Sequence, residues 1–389
     1  SSIPRSCIRE ILSSAGNGSM ISFGGGVPHD TCIPVAQIQA AFEKVISRLG
    51  AQAFRYGPTE GEPKLREFVA TWLNRLELNA RADQVLIVNG SQQALDLLGK
   101  VFIDPGSPVA LERPTYLAAL QAFSAYGPRY HETALGESGP DLDLLQNALS
   151  QGCRFFYTVP TFQNPSGVCY SRAHREEVAR LLNDYATVLI EDDPYSQLYY
   201  NSTPPPQPLG AYGVARPIFL GTFSKMVAPG FRLGWIWSDY ETLRHLVSVK
   251  QASDLCTGAF QQHLLVETLG QLDLDAHLAA VRAFYRKQRD DMAGYMERHL
   301  KGRLSWSVPK GGMFFWAALR NRSISARALL ARCAQKGVAF ADGSAFFADG
   351  GGTEFLRLNF TQVTREQMDQ GLGIMAEEID SFELEEDRS

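Results

Sequence analysis

The chain is predicted to be an α/β protein, with a large, doubly wound, mostly parallel sheet domain and a smaller α+β domain, and three observations predict it. Between Val85 and Thr222, short apolar runs alternate with stretches of helical spacing, the pattern of strands joined by crossover helices. Several of these runs end in Gly-Ser, Asn-Pro or acidic residues, and the carboxyl ends of strands are where open α/β sheets bind ligands. The length of 389 residues, 45% of them hydrophobic, suffices for two domains with buried cores.

In chain order, Cys7 to Leu12 is a short amphipathic stretch. Ile21 to Pro28 carries Gly24-Gly25-Gly26, which lacks the G-x-G-x-x-G spacing of a dinucleotide site. The loop Phe54 to Gly61, with Tyr56 before Gly57 and Pro58, leads into Leu65, Phe68, Val69, Trp72, Leu73 and Leu76 at helical spacing. Val85 to Val88 reads as a strand and Gly90 to Leu98 as a helix. Its opening Gly90-Ser91-Gln92 presents free N–H groups and a positive dipole end, either an anion site or a plain serine N-cap.

Pro108 to Leu111 is the next strand, followed by Glu112-Arg113-Pro114-Thr115-Tyr116. The strand from Phe155 ends in the turn Asn164-Pro165-Ser166-Gly167, which turn chemistry alone would explain. A helix from His174 to about Tyr185 precedes a strand from Thr187 that runs into Glu191-Asp192-Asp193. A carboxylate at the end of a buried strand needs a partner to stay ionised. The strand at Ile218 leads to Thr222-Phe223-Ser224-Lys225, with Arg232 seven positions beyond the lysine. Small and apolar neighbours should lower the Lys225 pKa and leave free amine to attack a carbonyl.

Beyond Trp237 the pattern turns helical, with a long helix from Leu274 to Leu300 suited to hinge two domains. Strands at Met313 to Trp316 and Glu354 to Phe360 flank a helix for which Ser325 is the N-cap. Alternation turns Arg357 away from Leu356 and Leu358; on an edge strand it would simply be exposed. The large domain is placed at residues 45–275 and the small domain at 1–44 and 276–389. The acidic tail from Glu377 is expected to be a helix end and a frayed terminus.

A formal net charge of −5 provides no footprint for nucleic acid, and no apolar run reaches membrane-spanning length. The six cysteines form no C-x-x-C pair and no basic stretch precedes an apolar signal core, which points to a cytoplasmic location. The histidines have no metal-ligand spacing, so no metal is expected.

The stretch Ser224-Lys225, followed by Ala228-Pro229-Gly230-Phe231-Arg232-Leu233-Gly234-Trp235, resembles the lysine motif of fold-type I pyridoxal-phosphate enzymes. It is most similar to that of the α-aminoadipate and kynurenine aminotransferase branch, and the resemblance extends from Ile8 to the final helix. It implies that Lys225 carries the aldehyde of pyridoxal 5'-phosphate as an imine and later moves a proton. Thr222, Ser224 and Arg232, with Ser91 and Gln92, would bind the phosphate, and the Tyr116 ring would stack on the pyridine. Asn164 and the tyrosine of Asp192-x-x-Tyr195 would meet the phenolic oxygen, and Asp192 would keep the ring nitrogen protonated. Tyr56 would bond the phosphate across a homodimer interface. On the substrate side the resemblance assigns Arg357 to the α-carboxylate, with Asn164 and Gly25 lining the pocket. Arg9, fourteen residues before Phe23, would meet the substrate side chain. Asp342 stands where the family usually has proline and is expected to add negative charge at the pocket mouth.

The activity implied is ping-pong transfer of an amino group from an L-amino acid of α-aminoadipate, aromatic or large aliphatic type to 2-oxoglutarate or another 2-oxo acid. The partners would be these small molecules, with no nucleic acid and no membrane. Two alternatives remain open on the motifs. One is a lyase, decarboxylase or cyclase using the same cofactor. The other is the ligand-sensing half of aminotransferase-like transcription regulators, against which stand the absence of a basic DNA-reading helix and a start at the enzyme's own N-terminal segment.

Overall fold

The computed structural model describes residues 20–386, so the Cys7 to Leu12 stretch, and Arg9 within it, lies outside the described residues. In chain order the strands are β1 (Ile21–Ser22), β2 (Val85–Val88), β3 (Pro108–Arg113), β4 (Arg129–Gly136), β5 (Gly139–Pro140), β6 (Phe155–Thr158) and β7 (Val188–Asp193). They continue with β8 (Pro217–Thr222), β9 (Gly234–Trp237), β10 (Leu304–Trp306), β11 (Phe314–Leu319), β12 (Val338–Ala339), β13 (Ala341–Asp342) and β14 (Phe355–Asn359).

The eight-stranded sheet has the order β2-β9-β8-β7-β6-β3-β4-β5. The pairs β4–β3, β3–β6, β6–β7 and β7–β8 are parallel. The inner strands of this parallel set are continuously buried because helices cover both faces; Phe155, Phe156 and Tyr157 of β6 are all fully buried. From β3 the chain steps outward to β4 and then returns to the other side through β6, β7 and β8. That reversal opens a crevice at the carboxyl ends of β3 and β6.

β9 is antiparallel to both β8 and β2, which restores β2 to the direction of β8. The carboxyl ends of β2, β3, β6, β7 and β8 therefore open on one edge. Helices start where sequence caps them: Ser171 accepts from His174 N, and Asp273 accepts from Ala276 N to open the 27-residue helix Leu274–Leu300.

The smaller sheet, β10-β11-β14-β13, is antiparallel throughout. β1 pairs in parallel with β12, and Asn359 N donates to Phe23 O, so the N-terminal segment is laid along this unit. Four details differ from a reading of pattern alone. β14 is interior rather than an edge, which buries Arg357. The acidic stretch from Glu377 is a helix end as expected, but it stays helical as far as Glu386, where Arg332 and Lys336 pair with Glu385, Glu377 and Glu378. Asp342 is buried rather than open to solvent and caps the short turn after it, accepting from Ser344 N and Oγ. The boundary placed at residue 45 falls inside the helix Val35–Leu49.

Candidate active site

At the shared edge, each strand delivers one polar group that the flanking apolar residues cannot satisfy. β7 carries three consecutive carboxylates, and strand alternation separates them. Glu191 turns to one face, accepting from Leu209 N and Gly210 N and lying 3.7 Å from Arg175. Asp193 faces the same way and accepts from Ser196 N. Asp192 alone points to the other face, 2% exposed, where Tyr157 Oη donates to its Oδ2 at 2.9 Å. Its Oδ1 is buried with no partner. Burial pushes the Asp192 carboxyl up to about 7 from an ordinary 3.8. That disfavours the anion by about 4 kcal/mol, a penalty that a cationic ring nitrogen against Oδ1 would remove.

Lys225 follows β8 in the same edge. Its amine donates to Gly26 O, and burial, helped by Arg357 and Arg232, lowers its pKa to about 8 from 10.5. Free amine is thus present near neutral pH, as nucleophilic attack requires.

A second cluster forms where the helix Gly90–Phe102 begins. Ser91 Oγ is buried and unpartnered at that N-terminus. Gly90 has φ +73°, and a Cβ there would stand 2.8 Å from Arg232 Nη2. At Gly234 a Cβ would meet Gly221 O at 2.8 Å and Ser91 N at 3.2 Å, so the strand β9 is drawn against the turn. Thr222 Oγ1 donates to Ser224 Oγ at 3.0 Å, and Gln92 Nε2 donates to Ala118 O at 3.4 Å. Ser91, Thr222, Ser224 and Arg232 thus converge on one helix N-terminus, the arrangement that holds a phosphate.

Tyr116 stands half-buried between the two clusters; burial and the Asp192 charge push its phenol up. Asn164 Nδ2 donates to Tyr195 Oη at 3.4 Å, and its Oδ1 accepts from Arg357 Nη1 at 2.7 Å. Arg357, 5% exposed, also donates to Gly24 O at 2.8 Å through Nη2, while its Nε has no partner. Phe314 and Phe346 bracket the guanidinium, their ring centroids 4.0 and 5.0 Å away. Desolvation lowers its pKa to about 10, so it remains a cation awaiting an anion.

Two expected residues stand apart. Gly25 is exposed with nothing within 4 Å of a notional Cβ; Gly24 and Gly26, through their carbonyls, make the contacts in that turn. Tyr56 is 87% exposed on its loop. Sequence reasoning did not single out Tyr157, Phe314 or Phe346. Tyr157 had no local signal: the register of β6 against β7 pairs it with Ile190, and alternation then puts it on the face of Asp192. The orphaned Asp192 Oδ1, the Ser91 cradle and the lysine amine fit pyridoxal phosphate at its ring nitrogen, phosphate and aldehyde. Among the described residues no helix is long and apolar enough to cross a membrane, and no group of three His, Cys, Asp or Glu is placed to hold a metal.

Comparison with known proteins is consistent with this geometry. The chain is 39% identical to aromatic-amino-acid aminotransferase 1 of Thermococcus litoralis over 96% of this chain and 91% of the relative. It is 38% identical to the 2-aminoadipate transaminase of Thermus thermophilus over 95% and 92%. Among solved structures, kynurenine aminotransferase of Pyrococcus horikoshii, in complex with PMP, superposes with a TM-score of 0.92 at 37% identity, covering 97% of this chain and 95% of that one. Residues 19–374 match the model of the family described as aminotransferase class I and II, and the chain belongs to that family of pyridoxal-phosphate-dependent enzymes.

Proposed function

We propose that this aminotransferase takes donors of the α-aminoadipate, aromatic or large aliphatic type and passes the amino group to 2-oxoglutarate or a related 2-oxo acid. The observation that carries the reading is the buried Arg357, held by Asn164 and Gly24 with Nε open, on the same crevice as the Lys225 amine. The bound cofactor supplies an aldehyde for amine exchange and a ring that draws electrons from the substrate Cα. Arg357 would orient the α-carboxylate, and Lys225, with a depressed pKa, would take and return the proton at the substrate Cα. Asp192 holds the ring nitrogen's proton; Tyr195 and Asn164 fix the phenolic oxygen; Tyr116 stacks on the ring. Ser91, Gln92, Thr222, Ser224 and Arg232 hold the phosphate.

The relatives' names support the donor class, spanning aromatic amino acids, 2-aminoadipate and kynurenine. Arg9 and Gly25 are proposed to complete the side-chain end of the pocket. We further propose a cytoplasmic homodimer in which the Tyr56 loop of a second copy reaches the phosphate. Exposed Phe42 and Phe54, both against Phe260, with exposed Tyr56 two residues along the chain from Phe54, support that interface. The division into a large domain at 45–275 and a small one from both chain ends is proposed on the two sheets, with the helix Val35–Leu49 straddling the first boundary.

Holoenzyme mixed with one amino acid at a time tests the reaction. The visible band should shift to the amine form with α-aminoadipate, glutamate, aromatic or large aliphatic donors, and 2-oxoglutarate should restore it. Release of carbon dioxide or of an unsaturated product without that shift would overturn transamination.

A further inference from the structure

Glu112, just before Arg113 on β3, is fully buried, and the groups that act most on its charge are hydrogen-bond donors rather than cations. An unpaired buried carboxylate is costly unless donors surround it, and four do. Oε1 accepts from Thr158 Oγ1 at 2.6 Å, Tyr170 Oη at 2.7 Å and Val159 N at 3.1 Å. Among the described residues, Oε2 accepts from Gln163 Nε2 alone, at 3.0 Å.

Gln163 in turn keys the loop after β6. Its Nε2 also donates to Pro114 O at 2.7 Å, and its Oε1 accepts from Ser166 N at 2.8 Å and Ser166 Oγ at 2.6 Å. Its backbone closes the turn, donating to Val168 O and accepting from Gly167 N. The next residue is Asn164, the side chain that bridges Tyr195 and Arg357. Thr158, the second arm, follows Tyr157, which donates to Asp192. One carboxylate thus ties β3, the end of β6 and the Asn164 turn together at the crevice where strand order reverses.

We propose that Glu112 is a positioning residue that acts through Gln163 to aim Asn164 between the phenolic tyrosine Tyr195 and the carboxylate-binding Arg357. The inference rests on the placement of Asn164 at cofactor and substrate argued above. Tyr170 is the titratable group bonded to Glu112, Tyr157 and Asp192 on the other face of the sheet feel its charge, and burial pushes its own pKa up.

The chemistry of the pair supplies the test. Glu112→Gln keeps an acceptor for Thr158, Tyr170 and Val159 but sets an amide donor against the Gln163 donor, so that one arm breaks. In folded holoenzyme, the pH midpoint of the cofactor's visible band should move by about half a pH unit or more, and KM for the amino donor should rise about tenfold. In an Asn164→Ala background the same substitution should change KM less than about twofold, because its effect passes through Asn164. If Glu112→Gln does not fold, Gln163→Met removes the same arm from the other side and should give the same shifts. Unmoved midpoint and KM in both variants, or full additivity with Asn164→Ala, would overturn the inference. If Asn164→Ala itself left both readouts unmoved, the site assignment would fall instead.

Discussion

Lys225 and Asp192 show how burial turns ordinary side chains into reagents. The lysine amine is lowered to about 8, so the attacking free base is populated above that pH and the ammonium below it. Capture of added pyridoxal phosphate by cofactor-free protein should therefore accelerate as pH rises through about 8; a midpoint near 10.5 would show an unburied amine. Lys225→Ala should keep the fold and lose turnover, and borohydride reduction of native enzyme followed by peptide mapping should find the label on Lys225 alone. Asp192→Asn keeps a hydrogen bond to the ring but not its proton. It should retain cofactor and lose roughly a hundredfold or more in kcat, and full activity would remove Asp192 from that role. For Arg9, outside the described residues, Arg9→Ala should raise KM for dicarboxylates by the worth of one charged hydrogen bond, roughly 1.5–3 kcal/mol, and spare apolar donors. Equal loss on both would make Arg9 structural.

Elements matter here through their ends. The helix Gly90–Phe102 brings Ser91 up to Arg232 only because Gly90 takes φ +73° and has no Cβ to meet the guanidinium. Gly90→Ala should cost about 1–3 kcal/mol in stability for the strained backbone and weaken cofactor retention, read as a raised dissociation constant; unchanged retention would separate that turn from the phosphate. Most elements were legible because their signals are local. The strand Val85–Val88, the helix Leu274–Leu300 and the Ser325 cap match their apolar runs and capping residues. The antiparallel insertion of β9 was not legible, since a strand's direction is set by its neighbours and not by its own residues.

At the scale of the whole molecule, the exposed Tyr56 and the apolar patch around Phe260 predict shared active sites. Mixing inactive Lys225→Ala with an inactive Tyr56→Ala variant should restore part of the activity through hybrid dimers, and a fully active monomer in a sizing assay would refute the sharing. The sequence by itself determined the α/β class and the chemical inventory: a lysine, a strand-end aspartate, a helix opening on Gly-Ser-Gln and a strand arginine, each written in a few neighbouring residues. Tertiary structure alone decided which of them meet. Asp192 was separated from Glu191 and Asp193 by the pleat and matched to Tyr157 on the next strand. Arg357 became a buried, aromatic-bracketed cation because β13 covers its strand, and Asp342 was spent on a cap. Glu112 acquired its four donors from residues 46 to 58 positions away. Such contacts depend on strand order and register, long-range quantities that no local run of residues encodes.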